Sequence, residues 1–239
     1  MRIPADSWLR KTPVAHRGLW TDEIPENSIP AYENAIAHGY AIEIDVYMTT
    51  DGEIIVIHDS ELTRLTGVNG KTYEKSYAEI SKLTILGTEE KIPTLKEVLS
   101  VVDGKVPLLI EIKNGQSKNT VDKVVEILST YHGEFAIQSF DPTFINRVKK
   151  LAPHFIRGVL GSPDLKETTK FKAWIVEKMP LNFLCKPDFI SYYHKAFPLK
   201  KRKAKNKVVI AWTITSKQDY EKVKEFTDNI IFEKFTPTH

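Results

Sequence analysis

Short runs of β-branched and other apolar residues recur along the chain, separated by polar segments whose apolar positions fall three and four apart. The runs are TPVAHRG, AIEIDVYM, VPLLIEIK, EFAIQSF, FIRGVLG, DFISYYH, KVVIAWTI and NIIFEKF, eight in all. Their length and composition predict strands. The spacing in SIPAYENAIAHG and NTVDKVVEILSTYHG predicts helices, each closed by its glycine. Eight strands alternating with helices over 239 residues predict an α/β chain folded as a (β/α)8 barrel, which uses this whole length for one core. No GxGxxG turn follows the first run, so the pattern does not suggest a dinucleotide-binding sheet. The rhythm breaks between Thr49 and about Val102, where a hairpin signal and the polar TRLTGVNGKTYEKSYAEISKL precede the helix-like TLKEVLSVV. This reads as an excursion on the second βα connection, at the carboxyl ends of the strands where such barrels build their chemistry.

The polar residues that interrupt the apolar runs carry the chemical information. In AIEIDVYM, Glu43 and Asp45 are one residue apart and share a face, with Ile42, Ile44 and Val46 on the other. Two carboxylates facing a barrel interior cost too much in lost hydration unless a cation compensates them, which points to a metal; the alternative is the solvent side of an edge strand. Asp51-Gly52 favours a two-residue hairpin turn in which Thr50 pairs with Glu53, and that register sets Asp45 opposite His58. A slip of one residue reverses the faces. In VPLLIEIKNG, Glu111 and Lys113 repeat the same spacing at the end of a strand. Glu43, Asp45 and Glu111 offer only oxygen, which suits Mg²⁺ or Ca²⁺ rather than zinc or copper. Arg17 and Lys113 add fixed positive charge, so the cluster suits an anionic substrate such as a phosphate diester. His16 and His58 titrate near neutrality and supply a general acid and base.

Composition narrows the setting. Hydrophobic residues make up 41% and charged residues 27%, the balance of a globular protein with ample apolar surface to bury. The one cysteine, Cys185, has no intrachain partner and reads as inert, and no Cys/His cluster has zinc spacing. The N-terminus lacks the apolar stretch of a signal peptide, and no run approaches the roughly 18 residues of a membrane helix, so a cytoplasmic location and no integral membrane segment are expected. A net charge of +3 is too small to imply nucleic acid, although PLKKRKAKNK places six cations in ten residues. That run reads as a solvated helix surface, as attraction towards anionic substrates or membranes, or as a targeting signal in a nucleated host. It lacks the interleaved aromatics of an RNA-binding surface. The sequence carries no signature of an oligomeric state.

The stretch AHRGLWTDEIPENSIPAYENAIAHGYAIEIDVYMTTDGEIIVIHDSELTRLTGVNG resembles the signature of glycerophosphodiester phosphodiesterases, and the likeness continues through KIPTLKEVL, LLIEIK, IQSF and AWTI. The resemblance implies a single barrel domain over residues 1–239 with a small insertion after the second strand, at about 60–92. It also implies a divalent metal on Glu43, Asp45 and Glu111, acid/base catalysis by His16 and His58, and a phosphate held by Arg17 and Lys113. Glu26 and Asn27 then stand near the site, with capping of the SIPAYENA helix as the alternative role for Asn27. Gln138 and Trp212 fall at strand ends that line the family's pocket, Trp212 against the glycerol or the leaving group, with plain barrel packing as the alternative for each. One departure is visible: NIIFEKFTPTH carries Phe232 and Glu233 where the family has Thr-Asp. The implied activity is hydrolysis of a small glycerophosphodiester to glycerol 3-phosphate and an alcohol such as choline or ethanolamine. The alternatives are a lyase that stops at a cyclic phosphate, and a silent barrel that binds phosphodiesters or anionic polymers.

Overall fold

The structure, a computed structural model, describes residues 3–164, 169–200 and 204–237. Its strands are β1 (Val14–Ala15), β2 (Ala41–Met48), β3 (Ile54–Val56), β4 (Leu108–Ile112), β5 (Phe135–Ser139), β6 (Arg157–Gly161), β7 (Phe189–Tyr193), β8 (Val208–Ile214) and β9 (Asn229–Phe232). Every one of the eight apolar runs contains a strand, and β3 is the return arm of the hairpin. The eight parallel strands alternate with helices, and the fold class is the (β/α)8 barrel. Two compact units make up the chain: Ala15–Phe135, and Ala136–His239 together with Met1–Val14.

In the unit Ala15–Phe135, β2 pairs in parallel with β4, which sets Asp45 beside Glu111 and Ile44 beside Ile110. Both strands are buried along almost their whole length, so they are near-continuous hydrophobe apart from their carboxylates. The hairpin register differs from the sequence expectation. Val46 pairs with Val56, Tyr47 with Ile55 and Met48 with Ile54, one residue away from the pairing that a two-residue turn gives. The cause lies in Thr49, which closes a three-residue loop by donating its N–H to Glu53 O at 2.9 Å while its hydroxyl accepts the Glu53 N–H at 3.0 Å. Gly52, at φ +86°, takes the left-handed position that such a loop needs. Asp45 therefore stands opposite Ile57, whose N–H donates to Asp45 O at 2.9 Å, and His58 lies beyond the end of β3.

The helix Ile29–Ala37 is capped by Ser28, whose hydroxyl accepts the Ala31 N–H, with Pro30 in its first turn. Asn27 is thus not the cap. Gly39, at φ +70°, follows this helix as expected, but the helix Lys118–Leu128 ends at Ser129, well before Gly133. The excursion after β3 holds two short helices, Thr63–Thr66 and Tyr77–Ile80, and a 3₁₀ turn, Thr72–Glu74. Its Leu62, Leu65, Ile80 and Ile85 form one apolar cluster with Tyr47, Ile55 and Ile57, which anchors the segment to the hairpin.

In the second unit β5 to β9 lie side by side in chain order, each parallel to the next. Gly158 of β6 has no room for a side chain, because a Cβ there would fall 2.2 Å from the Phe189 ring. Asn229 donates to Thr12 O at 2.7 Å and Arg10 pairs with Asp228, tying the N-terminal helix Trp8–Lys11 to the start of β9. Cys185 is buried and burial pushes its thiol up to about 11, in keeping with an inert residue. Phe232 is buried at the end of β9, and Glu233 donates its N–H to Ile214 O at 3.0 Å. Of the basic run, Lys201, Arg202 and Lys203 lie outside the described residues.

Candidate active site

Glu43, Asp45 and Glu111 converge as the pairing of β2 with β4 requires: each offers an oxygen within 4.8 Å of the others, and all three side chains are buried. Asp45 is the hub. Asn27 Nδ2 donates to its Oδ2 at 3.2 Å, Lys113 Nζ donates to its Oδ1 at 3.2 Å, and Arg17 Nε lies 3.8 Å from Oδ2. Lys113 Nζ also stands 3.0 Å from Glu111 Oε1.

The turn after β1 brings in His16 and Arg17. Arg17 adopts φ +59° and Gly18 φ +80°, which aims the Arg17 N–H at Glu43 Oε2, 3.1 Å away. A Cβ on Gly18 would meet Ala31 Cβ at 2.9 Å and its backbone at 3.0 Å, so the bare glycine lets this turn rest on the helix Ile29–Ala37. Asn27, also left-handed at φ +53°, donates its N–H to Arg17 O at 2.9 Å and accepts from the Tyr32 hydroxyl at 3.1 Å. It therefore stands beside Asp45, and Ser28 takes the helix cap.

His58 reaches this cluster although its register differs: it sits at a bend just beyond the end of β3. The rings of His16 and His58 lie 6.4 Å apart at 76°, and both imidazoles act electrostatically on Asp45. His58 Nδ1 sits 2.7 Å from Asp59 Oδ1. Since Asp59 is held below the usual carboxylate range by His58 and Arg64 against the opposing effect of burial, it only accepts, and Nδ1 is the donor. Arg64 donates from Nε to Asp59 Oδ2 at 2.5 Å, and from its two terminal nitrogens to Glu26 at 3.0 and 2.7 Å. Glu26 also accepts from Arg17 at 2.7 Å. Asp59 and Arg64 escaped the sequence reading; their only local signal is position, within HDSELTR directly after the catalytic candidate His58. Gln116 was missed as well. Its carbonyl accepts the Met48 N–H at 2.6 Å and its amide donates to Val46 O and Lys113 O at 3.2 and 2.9 Å, which fixes the loop that carries Lys113.

The electrostatics follow from this crowding. Burial, reinforced by Asp45 and Glu111, raises the Glu43 carboxyl well above the carboxylate range in spite of Lys113 and Arg17. Burial raises Glu111 too, and Asp45 adds to this against the pull of Lys113. Burial acts on Asp45 in the same sense, but Lys113, His58, Arg17 and His16 outweigh it and hold that group ionised. His58 is lowered, chiefly by burial, against the opposing effect of Asp45. Without an ion this crowding favours the protonated form of Glu43. Three buried oxygen donors that oppose one another's ionisation form a set that fits a hard divalent cation.

Gln138 and Trp212 belong to the second unit. Gln138, at the end of β5, is buried and accepts from Ser191 Oγ at 2.7 Å. Trp212, near the end of β8, packs its ring between Phe140 and Tyr193, each with its centroid 5.6 Å away, and its Nε1 is buried without a hydrogen-bond partner.

Residues 16–232 match the profile of the glycerophosphoryl diester phosphodiesterase family, a span that contains every residue of the cluster. The chain belongs to the glycerophosphoryl diester phosphodiesterase family. A glycerophosphodiester phosphodiesterase of Caldanaerobacter subterraneus subsp. tengcongensis is 32% identical over 235 residues, covering 91% of this chain and 92% of the relative. Among solved structures, a glycerophosphodiester phosphodiesterase from Thermotoga maritima superposes with a TM-score of 0.71 at 26% identity, over 92% of this chain and 94% of that one. A phosphodiesterase from Oleispira antarctica, solved with the product sn-glycerol-3-phosphate, has the same fold with a TM-score of 0.79 at 24% identity over 92% of each chain. As a member of this family the chain is a phosphoric diester hydrolase. Among its described residues, no helix is long and apolar enough to cross a membrane.

Proposed function

We propose that the protein hydrolyses small glycerophosphodiesters to glycerol 3-phosphate and an alcohol, with one divalent cation, Mg²⁺ or Ca²⁺, held by Glu43, Asp45 and Glu111. The observation that carries this reading is the convergence of three buried carboxylates, with oxygens within 4.8 Å of one another, beside two imidazoles 6.4 Å apart. The bound product of the Oleispira antarctica phosphodiesterase supports the same substrate class. When bound, the cation supplies Lewis-acid polarisation of the phosphoryl group. Arg17 and Lys113 hold the non-bridging oxygens; Arg17 Nε, buried and without a hydrogen-bond partner, has a donor to give. His58, lowered by burial and with Nδ1 committed to Asp59, is neutral near pH 7 and takes a proton at Nε2 from the attacking oxygen. His16 gives a proton to the departing alcohol. Glu26 and Asn27 support this set by fixing Arg17 and Asp45, while Gln138 and Trp212 contribute to substrate binding.

The same proposal treats residues 1–239 as one barrel domain with an insertion at about 60–92, acting in the cytoplasm. His16→Ala and His58→Ala are each expected to lower turnover at least about 100-fold while leaving the fold intact. Release of glycerol 3-phosphate from glycerophosphocholine measures this, and near wild-type rates in either variant contradict the assignment.

A further inference from the structure

The segment between β6 and β7 exposes an unusual set of large apolar side chains. Phe171 and Phe183 are each 69% exposed, Trp174 48% and Leu184 45%. Phe171 and Trp174 stack on the helix Lys170–Lys178, with centroids 6.2 Å apart and planes 20° from parallel, and no residue of that helix is buried. Trp174 and Phe183 form the walls of an open groove of about 850 Å³ together with Lys178, Asn182, Lys205 and Lys207. Lys170, Lys172 and Lys205 are exposed nearby in the same unit, and Glu177 is engaged with Lys178. Exposed aromatic rings that share a surface with several lysines mark an interaction site.

We propose that this face binds the surface of an anionic lipid bilayer, with Phe171, Trp174, Phe183 and Leu184 at the boundary between headgroups and acyl chains and the lysines on lipid phosphates. Charge complementarity selects the occupant. Amphipathic segments that lie on membranes combine Trp, Phe and Leu with a basic rim in this way, and each basic side chain near an anionic surface adds to binding. A soluble polyanion would engage the lysines and leave the exposed rings unused. A second copy would bring the same positive charge against itself. The basic run Lys200–Lys207, which the phosphodiesterase chemistry does not use, thereby gains a role through Lys205 and Lys207. The proposal is independent of the substrate chosen above.

Flotation of the full chain with vesicles tests it. Binding is expected to vesicles of phosphatidylcholine mixed with phosphatidylglycerol, at least about tenfold stronger than to phosphatidylcholine alone and weakened by high salt. The blue shift of tryptophan emission on binding is expected to disappear in Trp174→Phe. Lys205→Glu with Lys207→Glu, and separately Phe171→Ser with Phe183→Ser, are each expected to reduce partitioning at least about tenfold. Circular dichroism checks the folding of each variant, and the unsubstituted chain alone decides the matter should one of them unfold. The proposal is overturned by failure of the unsubstituted chain to float, or by equal binding to neutral vesicles. It is overturned equally by binding of dextran sulfate that Phe171→Ser with Phe183→Ser leaves unchanged, or by a dimer in sedimentation velocity that the same pair dissolves while vesicle binding is absent.

Discussion

His58 is held from behind by a chain of polar side chains. Its Nδ1 donates to Asp59, Asp59 is held by Arg64, and Arg64 forks onto Glu26, which also grips Arg17. This bridge joins His58 to Arg17, the proposed proton carrier to the proposed anion-binding residue, and leaves Nε2 as the imidazole nitrogen not committed to Asp59. Asp59→Ala is therefore expected to lower kcat by roughly tenfold or more, with a smaller change in KM and a displaced pH–rate profile. Unaltered kcat and profile would show that His58 needs no orienting partner. At this scale the sequence was legible wherever chemistry is written in residue type and spacing: Glu43, Asp45 and Glu111 share one spot because i, i+2 positions share a face and β2 adjoins β4. It was not legible where a long side chain spans unrelated segments, as Arg64 does between Asp59 and Glu26.

Elements deliver those residues, and their details depend on contacts that the local sequence does not contain. The β-branched runs announced all eight strands because a buried parallel strand must be apolar throughout. The hairpin register slipped because Thr49 closes a three-residue loop, a choice between two acceptable turns for the same Asp-Gly. Ser28 rather than Asn27 caps the first long helix because Asn27 is drawn away by Asp45, and both residue types cap equally well in isolation. Gly18 makes the clearest test at this scale. Placing a methyl group at φ +80° against the Ala31 backbone combines left-handed strain with overpacking, so Gly18→Ala should destabilise the fold by about 2–4 kcal/mol. Urea unfolding measures it, and a loss below about 0.5 kcal/mol would mean that the turn does not rest on this helix.

For the whole molecule the proposed cation predicts a stability that depends on cation and pH together. Glu43 and Glu111 have folded-state values above their unfolded ones, so their contribution is complete below the ordinary carboxylate range and is lost as pH rises through the raised values. Lys113 and Arg17, raised as well, keep their charge throughout the neutral range. His58, lowered, contributes stability that is gained as pH rises from its lowered value to the ordinary imidazole value. A cation that replaces the proton on Glu43 must therefore raise the melting temperature more at about pH 8 than at about pH 5. At a concentration of about 100 Kd the gain should approach about 2.7 kcal/mol. An equal or smaller gain at the higher pH would show that the ion does not compete with a proton at these carboxylates.

The fold class, and the meeting of Glu43, Asp45 and Glu111 beside Arg17 and Lys113, were legible at this largest scale because eight repeats and a long family signature leave few alternatives. The exposed aromatic face between β6 and β7 was not, since exposure is a property of packing that no apolar run reveals by itself. The most direct test of the central claim is release of glycerol 3-phosphate from glycerophosphocholine by protein stripped of metal with a chelator. The predicted result is loss of turnover, recovery on addition of Mg²⁺ or Ca²⁺, and no recovery in Asp45→Asn. Undiminished release after complete chelation would contradict it.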